Sequence, residues 1–132
     1  MTQEEKIEYW VKISDEDFKI AKTMLENRYR LYTGFMCNQA IEKIFKASYE
    51  KLKNETPPYT HNLIRLAELA GFYDLFSDEQ KTFVSTINPF NIEARYPDYK
   101  EQIAKALTDE RCKQIFEQTK LLQQWIKEKI LS

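Results

Sequence analysis

Apolar residues recur at steps of three and four over residues 4–27, where Ile7, Trp10, Val11, Phe18, Ala21 and Leu25 share one side with Ser14 while Lys and Glu fill the other. That spacing predicts an amphipathic helix. A second run of the same period covers residues 32–52 and carries Cys37, Ala40, Ile41, Ile44, Phe45, Ser48 and Leu52, leaving Glu42, Lys43 and Lys46 for a wet side. Pro57 and Pro58 end it, since each removes a backbone donor and biases the preceding residue away from helix. Thr60 is then placed to cap a short helix that faces Leu63, Leu66, Ala67 and Ala70 inward and closes at Gly71.

Ser77-Asp78-Glu79-Gln80 has capping-box spacing and opens a further helix with Phe83, Val84 and Ile87 behind it. Pro89 should disrupt that helix and Pro97 should stop any resumption, so a kinked or broken element is expected over residues 88–99. Thr108, followed by Asp109 and Glu110, opens a last helix whose Cys112, Ile115, Phe116, Thr119, Leu122 and Ile126 share a face, extended by Ile130. Four substantial helices and one short one, joined by short connections, predict an all-α fold: an up-and-down antiparallel four-helix bundle with an additional short helix, in one domain over residues 1–132.

Composition narrows the picture further. Two glycines and four prolines in 132 residues are too few for a β-sandwich or barrel. A net charge of −1 gives no electrostatic footprint for general nucleic-acid binding. No apolar stretch approaches the ~20 residues that span a bilayer, and the acidic start is unlike a signal peptide, so a cytoplasmic protein without a membrane contact is expected. Cys37 and Cys112 lie far apart and His61 is the only histidine, so no metal site and no cofactor motif are expected, and both thiols are read as core residues.

Chemistry concentrates between Phe90 and Lys100, where Arg95, Tyr96, Asp98 and Tyr99 crowd a predicted helix break. Arg95 offers a planar fork that matches phosphate, and tyrosines can stack on bases or donate a hydroxyl. The same residues could instead form an Arg95–Asp98 pair and cover the end of the bundle. His61 has two readings as well, as a proton-transfer group near neutral pH or as a cover for the first turn of its helix. Asn38, Gln39, Glu42 and Lys43 read as a solvated face unless Arg95 reaches them. Asp15 and Asp17 sit about 200° apart around a helix and cannot share one ion. Phe72, Tyr73, Leu75 and Phe76 read as a loop packed back on the core, with a dimer surface as the other use.

Taken in order, Tyr9-Trp10, Ser14-Asp15-Glu16-Asp17-Phe18, the stretch from Gly34 to Ala47 containing Gln39-Ala40-Ile41-Glu42-Lys43, then Thr60-His61-Asn62-Leu63 and Ala94-Arg95-Tyr96-Pro97-Asp98 resemble the HEPN domain family over nearly the whole chain. The resemblance implies a helical bundle, a homodimer, and a two-gene, toxin–antitoxin-like setting beside a minimal nucleotidyltransferase. It also implies a nucleotide- or RNA-related role, with many members acting as metal-independent endoribonucleases through an arginine followed after four to six residues by a histidine. Arg95 matches that arginine. Lys100, Glu101 and Gln102 stand where the histidine would be, so the resemblance points to a binding module with Arg95, Tyr96, Asp98, Tyr99 and Lys43 at its ligand. The alternatives are a ribonuclease in which Arg95 works with Tyr99, Lys100 or His61 as the proton-transfer group, and a purely regulatory or structural dimerisation module.

Overall fold

The computed structural model describes residues 1–91 and 97–132, with backbone alone for 97–99. All its regular structure is helical among the described residues: α1 (Gln3–Glu26), α2 (Arg30–Lys53), α3 (Leu63–Ala70), α4 (Asp78–Ile87), α5 (Pro97–Ala106) and α6 (Asp109–Lys129). Short 3-10 turns cover Tyr73–Leu75 and Asn88–Asn91. None of the described helices is long and apolar enough to cross a membrane.

The caps set the helix boundaries. Thr2 accepts from the Glu5 backbone N–H in a capping box, Ser77 does the same with Gln80, and Thr108 accepts from Arg111. Each bond satisfies a donor that the first helical turn leaves without a partner. Gly71 closes α3 at φ +87°, a left-handed position that suits glycine.

Two expectations at the caps need correction. Asn62, not Thr60, caps α3, because its side chain accepts from Arg65 N while Thr60 Oγ1 accepts from Asn62 N one step earlier. Pro97 does not stop a helix but begins α5. The first turn needs no N–H from its opening residue, and proline is already set at helical φ. With α5 added, the described residues form six helices where five were expected. The break at 88–99 is a 3-10 turn at Asn88–Asn91 and the start of α5, with 92–96 between them outside the described residues.

α1 packs along α2, and α6 packs on both. α3, α4 and α5 reach α2 from its remaining sides. α2 is therefore the axis of the bundle rather than one wall of it. Its expected wet side does not exist at Glu42, which is 1% exposed. Small residues allow this enclosure: a Cβ added to Gly34 would come within 3.1 Å of Leu107 Cδ1 and 3.3 Å of Phe90 Cδ2, so the bare backbone seats both chains. Ala40, Ala47 and Cys37 are fully buried along the same helix.

The core fills with Ile41, Ile44, Phe45, Leu66, Ile87, Ile115 and Ile126. Phe45, Phe72 and Phe76 interlock, and Phe18 stacks on Phe116 with centroids 4.6 Å apart. Phe72 and Phe76 thus pack back on the core as expected, while Leu75 stays exposed. Both cysteines are free and buried, and burial raises both thiols, that of Cys37 to about 12. A thiol held that far from ionising is a packing group rather than a nucleophile.

Candidate functional site

Positions four apart on a helix stack into a row, and Asn38, Glu42, Lys46 and Glu50 form such a row on α2. All four are buried or nearly so, and each finds a partner on another element or within the row. Asn38 Nδ2 donates to the Ile87 carbonyl at 2.9 Å. Glu42 Oε1 accepts from His61 Nδ1 at 2.9 Å, and Oε2 accepts from Lys46 Nζ at 3.1 Å. Glu50 Oε2 accepts from Trp10 Nε1 at 2.7 Å. The Lys46 ammonium lies 5.4 Å from the Trp10 ring centre, a cation–π contact that ties α1 to the row.

Lys43 borders the row. Its amine donates to Gln39 Oε1 at 2.9 Å and lies 3.5 Å from Glu42 Oε2. A carboxylate removed from water is costly unless several partners meet it. Glu42 has three cationic or potentially cationic neighbours. Burial alone would push its carboxyl up, but the His61 hydrogen bond and the Lys46 and Lys43 charges outweigh that and hold it below its ordinary value. Asp17 on α1 goes the other way: burial raises it, and the Lys43 charge offsets only part of the rise.

His61 is 51% exposed on its side chain. With Nδ1 committed to a buried carboxylate, the ring is oriented and Nε2 is left for another partner. That is the arrangement by which a carboxylate fixes an imidazole for proton transfer. Tyr59, 94% exposed, sets its ring edge-on to His61 with centroids 5.6 Å apart.

The next loop is fastened to the same place. Asn88 Oδ1 accepts from Leu63 N at 2.9 Å, and its Nδ2 donates to Asn62 Oδ1. Asn38 holds the adjacent Ile87 carbonyl, so the end of α4, the start of α3 and the middle of α2 meet at three asparagines. Phe90, buried against Gly34, pins the turn one residue before Asn91.

Of the residues singled out in the sequence, Lys43 and His61 come together on Glu42. Arg95 and Tyr96 lie outside the described residues, as do the side chains of Asp98 and Tyr99, whose backbone is in the first turn of α5. Asn38, Glu42, Lys46, Asn62 and Asn88 are residues of the site that sequence reasoning did not assign to it. Asp15 accepts from Lys127 Nζ at 2.7 Å and from Gln123, a tie between α1 and α6.

Two of the stretches that carry the family resemblance, residues 34–47 and 60–63, meet here through Glu42 and His61. A family model described as HEPN domain matches residues 7–130. Neither a search of curated proteins nor a search of solved structures finds a match to the chain. The match to the family model, running over nearly the whole length, agrees with the all-helical bundle and with the order of its motifs, and the protein belongs to the HEPN domain family.

Proposed function

We propose that the protein is a nucleotide- or nucleic-acid-binding module whose phosphate site uses Arg95 together with Lys43 on α2 and the His61 loop. The observation that supports this most is the meeting of Lys43 and His61 on Glu42, with α2, the start of α3 and the Asn88 turn fastened together at Asn38, Asn62 and Asn88. Arg95 supplies the planar fork for phosphate, Lys43 a second cation, and Tyr96, Tyr99 and the exposed Tyr59 offer rings for stacking. Asp98 accepts from a sugar or base. The resemblance adds a homodimer and a minimal nucleotidyltransferase partner, in a two-gene system, as the setting. The test is titration of nucleotides and single-stranded RNA against wild type, Arg95→Ala and Lys43→Ala. Binding lost in Arg95→Ala and weakened in Lys43→Ala supports the reading; unchanged binding in both overturns it.

A second reading, metal-independent RNA cleavage, is favoured by one observation, the His61–Glu42 pair. His61 Nε2 would take the proton of a ribose 2′-OH, the freed oxygen would bond to the adjacent phosphorus, and the P–O5′ bond would break to leave a 2′,3′-cyclic phosphate. The departing 5′-oxygen takes a proton from the imidazolium or water. A positioned acid/base group contributes ~10²–10⁴-fold, so cleavage should fall by that factor in His61→Ala. RNA left intact by the wild-type protein across a broad panel would rule this reading out.

A further inference from the structure

An apolar recess away from the α2 row lies between α4 and α6. Phe83 and Leu122, both buried, form its floor, Trp125 forms one wall, and Leu121 stands 63% exposed on its edge. The recess holds about 390 Å³ and is open along its length. Gln118, Leu121, Leu122, Trp125 and Glu128 follow one another at helical spacing, so the stripe on α6 runs about 15 Å. Trp125 is backed by Phe76 at 5.5 Å between ring centres, which holds the wall in place.

The polar lining has one sign. Glu79 contributes a carboxylate from α4 and Glu128 another from α6, the other polar groups are glutamines, and no lysine or arginine among the described residues lines the recess. An apolar floor bordered by carboxylates from both helices suits a partner whose apolar stripe is flanked by positive charge. A nucleic acid would bring its phosphates toward the carboxylates and is disfavoured. The open, helix-walled form admits a helix lying lengthwise, with anchors at i, i+3, i+4 and i+7.

We propose that the α4–α6 recess is a docking surface for a basic amphipathic helix of a protein partner. It shares no residue with the α2 row and stands or falls separately from the phosphate site. The test uses a fluorescent synthetic helical peptide with leucines at i, i+3, i+4 and i+7 and lysines on its flanks, with a matching peptide carrying glutamates. Wild type should bind the lysine peptide, more tightly at low salt, and ignore the glutamate peptide. Leu121→Glu should weaken the lysine peptide about tenfold or more. Glu79→Lys with Glu128→Lys should lose the lysine peptide and gain the glutamate one, with circular dichroism showing an unchanged helical content. Failure of wild type to bind the lysine peptide, an unchanged preference in the charge-reversed variant, or displacement of the peptide by single-stranded RNA would overturn the proposal.

Discussion

The α2 row and the α4–α6 recess are opposite solutions to the problem of an unmatched surface. The row buries groups that water would normally hold and gives each a partner: Glu42 on His61 and Lys46, Glu50 on Trp10, Asn38 on Ile87. The recess leaves Leu121 63% exposed and Trp125 only partly covered, with Phe76 behind its ring. Matched burial fixes geometry, as in the orientation of His61, and so prepares chemistry. Unmatched apolar surface fixes nothing and supplies only area for a visitor. Substitutions should therefore cost stability in the row and binding alone in the recess.

The largest effect is expected at Glu42. Glu42→Gln leaves Lys46 and His61 without their carboxylate, and removing one partner of a buried ion pair costs about 3 kcal/mol, read as a fall in urea midpoint. The pH dependence gives a second handle. The Glu42 carboxyl is held below its ordinary value in the folded protein, so its stabilisation is complete above the unfolded pKa of about 4.3 and is lost as pH falls through the lower folded value. Glu42→Gln should accordingly flatten the acid limb of the stability profile. A steep acid limb in this variant would assign that limb to other carboxylates.

Next comes Gly34, where the backbone touches Leu107 and Phe90. Gly34→Val forces both aside and should cost about 2 kcal/mol by overpacking. Asn88→Ala strands the Leu63 N–H and the Asn62 side chain, and should cost about 1 kcal/mol while loosening the root of the Arg95 segment. The first loss is read in thermal unfolding, the second also in faster hydrogen exchange at Leu63. The smallest effect, of opposite sign, is expected at Asp17. Its raised value means that the folded state binds its proton more tightly than the unfolded chain does, so ionisation near neutral pH costs stability. Asp17→Asn should raise the melting temperature slightly, by about 0.5 kcal/mol of stability. Leu121→Glu, by contrast, should leave the melting temperature unchanged, and a large fall there would erase the distinction between row and recess.

The period-3.6 pattern and the caps made α1, α4 and α6 legible, because Ser77-Gln80 and Thr108 mark helix starts with chemistry that acts locally. α5 was hidden because a proline after an uncertain helix reads equally as an end or a beginning, and only the chain that follows Pro97 decides. Glu42 was hidden for a different reason. Charge placed it on a wet face, whereas the helices packed around α2 leave Glu42 only 1% exposed, and tertiary packing is absent from a helical period. A signal was present: Gly34, Cys37, Ala40 and Ala47 are small enough to admit helices on several sides, which the polar residues between them must then share. His61 and Lys43 were legible as candidates but not as neighbours. Their meeting depends on Glu42 and on the Asn62–Asn88 contact, which joins residues 26 apart in sequence.

The central claim is a phosphate site that joins Arg95 to Lys43 beside His61. Fluorescence titration of a labelled single-stranded RNA against wild type, Arg95→Ala, Lys43→Ala and the double variant tests it most directly. The account predicts saturable binding by wild type that is lost in Arg95→Ala, weakened in Lys43→Ala, and no weaker in the double variant than in Arg95→Ala. Equal affinity in all four proteins, or no binding by wild type to RNA or nucleotides, would contradict it.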